Sequence, residues 1–271
     1  MSATSQTSVL ILTFRMLRLI LLLLEGVATC LTVFPVVGEA RRQRLIHRWS
    51  RRLLAILHIR LRVTGNAPTM DSHRLMVVAN HVSWLDIYLL NAVRPLRFVS
   101  KAEVRRWPLI GWLAAQAGTL FIERGRRQDT VRLSQEIQQV LEAGGCTAFF
   151  PEGTTTDGTR LRHFHTSLLE PAVRSRSPVL PAALRYLNVD GTANTAAAYY
   201  DNISFGESLL RIMRVPEIHA EVIFFDPIPT QGKNRRELAQ AAQTVIASVF
   251  SPPADPRTAT ETPADPPAAA Q

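Results

Sequence analysis

The sequence predicts an α/β fold: a central, mostly parallel or mixed sheet flanked by helices, preceded by an N-terminal membrane-embedded helical segment. Three observations carry this. From residue 59 onward, short runs rich in Val, Ile and Phe, bounded by Gly or Pro, alternate with helix-like segments. Several of those runs are apolar throughout, as strands covered on both faces are. Apolar residues make up 46% of the 271, and the excess is concentrated in residues 8–37, where Arg15, Arg18 and Glu25 are the only charges.

As one helix that apolar tract would measure ~45 Å, against ~30 Å for the hydrocarbon core of a bilayer. Its cleaner part, Leu19–Val37, is just long enough to span. A cleaved signal peptide fits poorly, because the tract is long and Glu25 interrupts it. A single span and a helical hairpin bent near Gly26 both stand. The block that follows crowds Arg41, Arg42, Arg44, Arg48, Arg51 and Arg52 among Leu45, Trp49, Leu53 and Leu54. This is the pattern of a basic amphipathic interfacial helix, and positive flanks lie on the cytoplasmic side.

The net charge of +9 also suits nucleic acid. No nucleic-acid motif accompanies it, and the basic block abuts the apolar tract, so the expected partner is a membrane. Cys30 and Cys146 stand far apart in apolar surroundings and form no disulfide or zinc pattern; Cys146 reads as a buried strand thiol.

The expected strands are Ile59–Thr64, Leu75–Ala79, Leu96–Ser100, Thr119–Glu123, Thr147–Phe150, Val179–Arg185 and His219–Phe225. Between them, Thr130–Ala143 carries an apolar stripe at helical spacing, with Asp129 to cap it and Gly144 to close it. Arg235–Val249 reads as a second helix. The expected organisation is a membrane-embedded helix or hairpin over 1–40, an interfacial helix over 41–58, an α/β domain over 59–250 and a disordered tail over 251–271. That tail has six prolines in 21 residues.

Three polar islands interrupt the apolar pattern. In Asn80-His81-Val82-Ser83-Trp84-Leu85-Asp86, Ser83 and Asp86 fit a capping box, with Ser83 as N-cap and Asp86 at its third helical position. Asn80 and His81 are left over. Two helical residues five apart are separated by ~500° and point apart. If His81 precedes the helix, at the carboxyl end of a strand, Asp86 can reach back to the ring. A carboxylate on one ring nitrogen raises the basicity of the other, which is general-base machinery. The residues alone leave the cap and the catalytic pair equally open. The second island, Glu152-Gly153-Thr154 after Phe150-Pro151, offers a carboxylate, an unobstructed backbone and a hydroxyl. In the third, Arg124 follows a strand and suits phosphate through its planar fork.

Taken in order, Asn80-His81-x-Ser83-x-x-Asp86, Gly118-x-x-Phe121-Ile122-x-Arg124, Phe150-Pro151-Glu152-Gly153-Thr154 and a Pro181-centred strand resemble the lysophospholipid/glycerolipid acyltransferase family. The resemblance is greatest to its bacterial 1-acyl-sn-glycerol-3-phosphate acyltransferases and covers residues 40–225. The segment 100–113 resembles that family's Lys-x-Glu…Pro-x-x-Gly stretch. The resemblance implies transfer of a fatty acyl group from acyl-CoA or acyl carrier protein to the sn-2 hydroxyl of 1-acyl-sn-glycerol-3-phosphate, giving phosphatidic acid. By it, His81 deprotonates the hydroxyl, Asp86 orients His81, and no acyl-enzyme forms. Lys101 and Arg124 would contact phosphate, Glu152, Gly153 and Thr154 would grip the glycerol, and Asn80 and Ser83 would support the pair. No cofactor or metal is implied, although His163-x-His165 has a metal-like spacing. The implied place is the bacterial inner membrane, with the catalytic domain facing the cytoplasm.

The chain departs from the family pattern after Glu-Gly-Thr, where Thr155 and Thr156 stand in place of Arg-Ser. Glu123 stands where Asp is frequent, and His165 where Lys is. Glu-Gly-Thr-Thr also occurs in acyltransferases acting on lyso-ornithine lipid, so that lipid or another lysolipid is the alternative acceptor. A non-catalytic lipid-binding protein, whose pair is only a helix cap, is the alternative of another class. A lipid hydrolase would need an activated nucleophile that the sequence does not show.

Overall fold

The computed structural model describes residues 7–123 and 127–250. Arg124 and the Pro-rich segment 251–271 lie outside the described residues. All seven expected strands are present: β1 (Ile59–Gly65), β2 (Leu75–Ala79), β3 (Arg97–Lys101), β4 (Leu120–Ile122), β5 (Cys146–Phe149), β6 (Val179–Leu187) and β7 (Ile218–Phe224). They form one sheet in the order β1-β7-β6-β2-β5-β3-β4. Every neighbouring pair is parallel except β6–β7, which is antiparallel. The sheet is therefore mixed, with five strands running one way from β6 to β4.

The apolar runs are continuous because each central strand feeds two cores. In β2, Leu75, Val77 and Ala79 join one cluster while Met76 and Val78 join the other. The first face is covered by α1 (Val9–Ala28), α2 (Glu39–Ile56), α3 (Asp86–Val93) and α8 (Phe205–Arg214). The second is covered by α6 (Arg127–Glu142), α7 (Glu170–Ser175) and α9 (Arg235–Ala247). Two short helices, α4 (Ala102–Arg105) and α5 (Ile110–Gln116), connect β3 to β4.

One helix start differs from expectation and one agrees with it. α6 begins at Arg127, so Asp129 lies inside its first turn instead of capping it, 3.9 Å from Arg132 Nε. α9 begins with a full capping box: the Asn234 side chain accepts the Arg236 and Glu237 amides, and Glu237 accepts the Asn234 amide.

The apolar tract does not bend at Gly26. α1 runs through Gly26 and continues as a π turn (Thr29–Val33) and a 3-10 turn (Phe34–Val36), and the chain reverses at Val37–Gly38. Gly26 is instead a crossing point. A Cβ there would meet Trp49 Nε1 of α2 at 3.0 Å, and that indole donates to the Leu22 carbonyl at 3.0 Å. The other end of the tract is tied to the domain as well. Arg15, 2% exposed, donates to the carbonyls of Met213 (2.8 Å), Val215 (2.9 Å) and Pro216 (3.0 Å) at the end of α8. α1 is thus held at both ends, with one face packed and Val9, Leu10, Phe14, Leu17, Leu21 and Leu24 exposed on the other.

Candidate active site

The site forms where β2, β5 and β3 end, at the carboxyl edge of the parallel strands, the usual place for sites in open α/β sheets. β2 ends at Ala79, and the side chain of Asn80 then continues the ladder to β6. Its Nδ2 donates to the Leu184 carbonyl (3.0 Å) and its Oδ1 accepts the Leu184 amide (2.7 Å). His81 follows outside any helix. α3 begins only at Asp86, so Asp86 can look back at the loop it has just left.

The capping box is half made. Ser83 Oγ accepts the amide of Leu85 (3.3 Å) and does not cap α3, while Asp86 accepts the Ser83 amide at 2.9 Å. The carboxylate has further partners. Asp86 Oδ2 also accepts the Val82 amide (2.7 Å) and lies 2.8 Å from His81 Nδ1, while Oδ1 accepts the Tyr186 hydroxyl (2.6 Å). Asp86 is fully buried, and an uncompensated carboxylate there would cost several kcal/mol. Four donors offset that cost. Because Asp86 accepts at Nδ1, that nitrogen carries the ring proton, and Nε2 is left as the basic nitrogen.

The His81 ring is fixed on its flat side too. It stacks on Phe150 with centroids 3.9 Å apart and planes 4° from parallel, and Phe150 stacks in turn near Phe98 at 6.1 Å. The His81 peptide is clamped at both polar atoms. Its amide donates to Glu152 Oε1 (2.7 Å), and its carbonyl accepts the Thr156 amide (2.9 Å). The second oxygen of Glu152 accepts the Arg162 amide at 2.8 Å. Burial pushes the Glu152 carboxyl above its ordinary range, and the two amide donors pull it partly back.

His81 is 20% exposed and opens onto a cavity of about 740 Å³ beneath the α1–α2 hairpin. Leu23, Gly26, Phe34, Trp49 and Leu113 make part of it apolar; Lys101, Glu103, Thr154, Thr155 and His165 make another part polar. Of the expected site residues, the structure brings His81, Lys101, Gly153 and Thr154 to this cavity. Gly153, at φ +70°, supplies the left-handed turn that delivers Thr154 to the wall. Asp86, Asn80 and Ser83 stand behind His81, and Glu152, 4% exposed, is not in the wall. Among the described residues, no group of three or more His, Cys, Asp or Glu side chains could hold a metal ion. His163 and His165 stand edge to face at 6.1 Å. Cys146 is buried in β5 as expected, while half-buried Cys30 lines the cavity.

Sequence reasoning missed Tyr186 and Thr156. Tyr186 had one visible signal: its hydroxyl continues the face of the strand whose alternate residues, Ala182 and Leu184, are apolar core.

Residues 60–185 match the acyltransferase family model. Over 205 residues the chain is 43% identical to the lyso-ornithine lipid O-acyltransferase of Pseudomonas aeruginosa, spanning 76% of this chain and 78% of that protein. The chain belongs to the acyltransferase family. This acyltransferase is also 33% identical over 215 residues to the 1-acyl-sn-glycerol-3-phosphate acyltransferase of Neisseria meningitidis, spanning 79% of this chain and 84% of that one. Its fold is shared with PlsC, the 1-acyl-sn-glycerophosphate acyltransferase of Thermotoga maritima. The TM-score is 0.61 at 23% identity, over 87% of this chain and 96% of that one.

Proposed function

We propose that this acyltransferase moves a fatty acyl group from a thioester donor, acyl-CoA or acyl carrier protein, to the free hydroxyl of a lyso-ornithine-type lipid. The observation that carries the chemistry is the buried Asp86–His81 contact of 2.8 Å, with His81 opening onto a cavity lined by both apolar and polar residues. His81 Nε2 takes the acceptor's hydroxyl proton as that oxygen attacks the thioester carbonyl carbon. The C–O ester bond forms, the C–S bond breaks, and the imidazolium returns its proton to the departing thiolate. Asp86 holds the ring tautomer and stabilises the transient positive charge. No covalent acyl-enzyme is required.

The acceptor assignment rests on the 43% relative and on Thr155. Thr155 lines the cavity at the position where the family pattern has Arg, so the wall lacks one fixed cation that a phosphate monoester would use. An ornithine head group carries both a carboxylate and an ammonium. Lys101 and Glu103, both in the wall, offer the complementary signs. The second reading, 1-acyl-sn-glycerol-3-phosphate as acceptor, is favoured by the 33% relative. The apolar part of the cavity suits acyl chains.

The same reading places the enzyme at a bacterial inner membrane, facing the cytoplasm. One continuous apolar segment, Val9–Val36, is long enough to cross a membrane, but only 22% of its most apolar window is buried in the protein. Each exposed Leu, Val or Phe moved from water into acyl chains gains ~1.5–3 kcal/mol. With α1 tied to the domain through Arg15 and the Gly26–Trp49 crossing, we place the α1–α2 hairpin with its apolar arm dipping into one leaflet and the arginines of α2 at the head groups.

The test is a panel of lysolipid acceptors with one labelled acyl donor. A kcat/KM for lyso-ornithine lipid at least ~10-fold above that for 1-acyl-sn-glycerol-3-phosphate supports the first reading, a difference of ~1.4 kcal/mol. The reverse preference moves the assignment to the second. Intact lipid bound without transfer would identify a lipid-binding protein, and free fatty acid released without acceptor a hydrolase.

A further inference from the structure

Tyr186 reaches Asp86 from β6, the strand beside β2, one hundred residues away in sequence. Its hydroxyl donates to Asp86 Oδ1 at 2.6 Å, the oxygen that His81 and the loop amides leave free. Both groups are enclosed: Asp86 is 0% exposed and Tyr186 4%. The contact is aimed by Asn80, whose side-chain amide holds both polar atoms of Leu184. Leu184 and Tyr186 share one face of β6, so this clamp sets how far up the strand the phenol emerges.

We infer that Tyr186 is a positioning residue of the acyl-transfer reaction, acting through Asp86 to set the basicity of His81. The inference rests on the general-base reading of the pair. A hydroxyl donating to a carboxylate withdraws part of its charge, so less of that charge is available to stabilise an imidazolium. Without the phenol, Asp86 holds the His81 proton more tightly and the base is already charged at a higher pH. The phenol also blocks rotation of the carboxylate about its own axis, which keeps Oδ2 on Nδ1. Burial, reinforced by the charge of Asp86, pushes the Tyr186 phenol well above its ordinary value, so it stays a donor across the working range.

Other ionisable groups face the pair. Glu152 on the loop after β5 feels the charges of both His81 and Asp86, and Glu25, Arg48, Arg52, Lys101, Glu103 and His165 stand in the cavity wall. None of these donates to Asp86 Oδ1, so the effect of the phenol is separable from theirs.

The test is the pH dependence of acyl transfer in Tyr186→Phe, with folding checked by thermal melting. The expected result is a ~10-fold loss in kcat, because the freed carboxylate no longer holds the ring in place, with KM for the acceptor unchanged. The acid limb of the rate profile moves to higher pH by about half a unit or more. Replacing Tyr186 by 3-fluorotyrosine, whose more acidic hydroxyl donates more strongly, moves the limb to lower pH. In an Asp86→Asn background, Tyr186→Phe costs no further kcat.

A second readout needs no turnover: peptide-resolved modification of His81 by diethylpyrocarbonate, which takes only the neutral imidazole. Its pH midpoint follows the same two shifts. If the wild-type enzyme transfers no acyl group, the proposed function fails, while the modification midpoints still test the link from Tyr186 to His81. Midpoints and rate limbs that stay where the wild type has them in both variants overturn the inference.

Discussion

Glu152 accepts the backbone amide of His81 at 2.7 Å, and its other oxygen is committed to the Arg162 amide at 2.8 Å. The carboxylate therefore braces the loop that carries His81, from behind the cavity wall. Glu152→Gln can serve only one of the two amides as acceptor, and its NH₂ faces the other donor. The expected outcome is a fall of ~10–100-fold in kcat with little change in the acceptor's KM. A direct grip on glycerol would raise KM instead, and steady-state kinetics with a varied acceptor separates the two.

His81→Ala removes the base and is expected to lower acyl transfer by ~10²–10⁴-fold; it also lowers the melting temperature, because it takes away one of the four donors to the buried Asp86 carboxylate and the stacking on Phe150. Asp86→Asn is expected to cost both activity and stability, because the amide cannot accept from all four donors now on the carboxylate. Activity that survives in His81→Ala membranes would sink the mechanism.

The rate is expected to fall on the acid side as an imidazole takes its proton, which in model compounds happens near pH ~6.5. The sign follows from the role: the neutral ring accepts the hydroxyl proton, so protonation removes the base. A profile that stays flat from about pH 5 to 8, with chemistry shown to limit turnover, would count against His81 as the base.

Thr155→Arg restores a cation to the polar wall of the cavity. The acceptor preference is expected to move toward 1-acyl-sn-glycerol-3-phosphate by ~10-fold in the ratio of kcat/KM values, as a charge-assisted bond to phosphate would give. The check is the same acceptor panel run on the variant.

Gly26→Leu pushes a side chain into the α1–α2 crossing, where even a Cβ meets Trp49 Nε1 at 3.0 Å and Leu113 Cδ2 at 3.8 Å. A cost of ~1–3 kcal/mol in stability is expected from the overpacking. Gly26 also lines the cavity, so long-chain donors are expected to suffer more than short-chain ones in a competition assay.

The sequence by itself determined the strands and their order of appearance, and it set His81 and Asp86 at the end of β2 while leaving a helix cap and a catalytic pair equally open. Each of these is written in contiguous residues: β-branched runs for the strands, and a five-residue step from His81 to Asp86 for the pair. Small boundary shifts followed from caps and turns whose partners could not be read locally.

Tertiary structure alone decided the rest. Glu152 was legible as a polar island, but its partners are backbone amides, which carry no sequence identity. Tyr186 meets Asp86 only because β6 lies beside β2 in the sheet, a neighbour relation that no local pattern encodes. The course of the apolar tract was settled by Arg15 on the carbonyls at the end of α8 and by the Gly26–Trp49 crossing. Both contacts join segments far apart in the chain, whereas hydropathy records only length and composition.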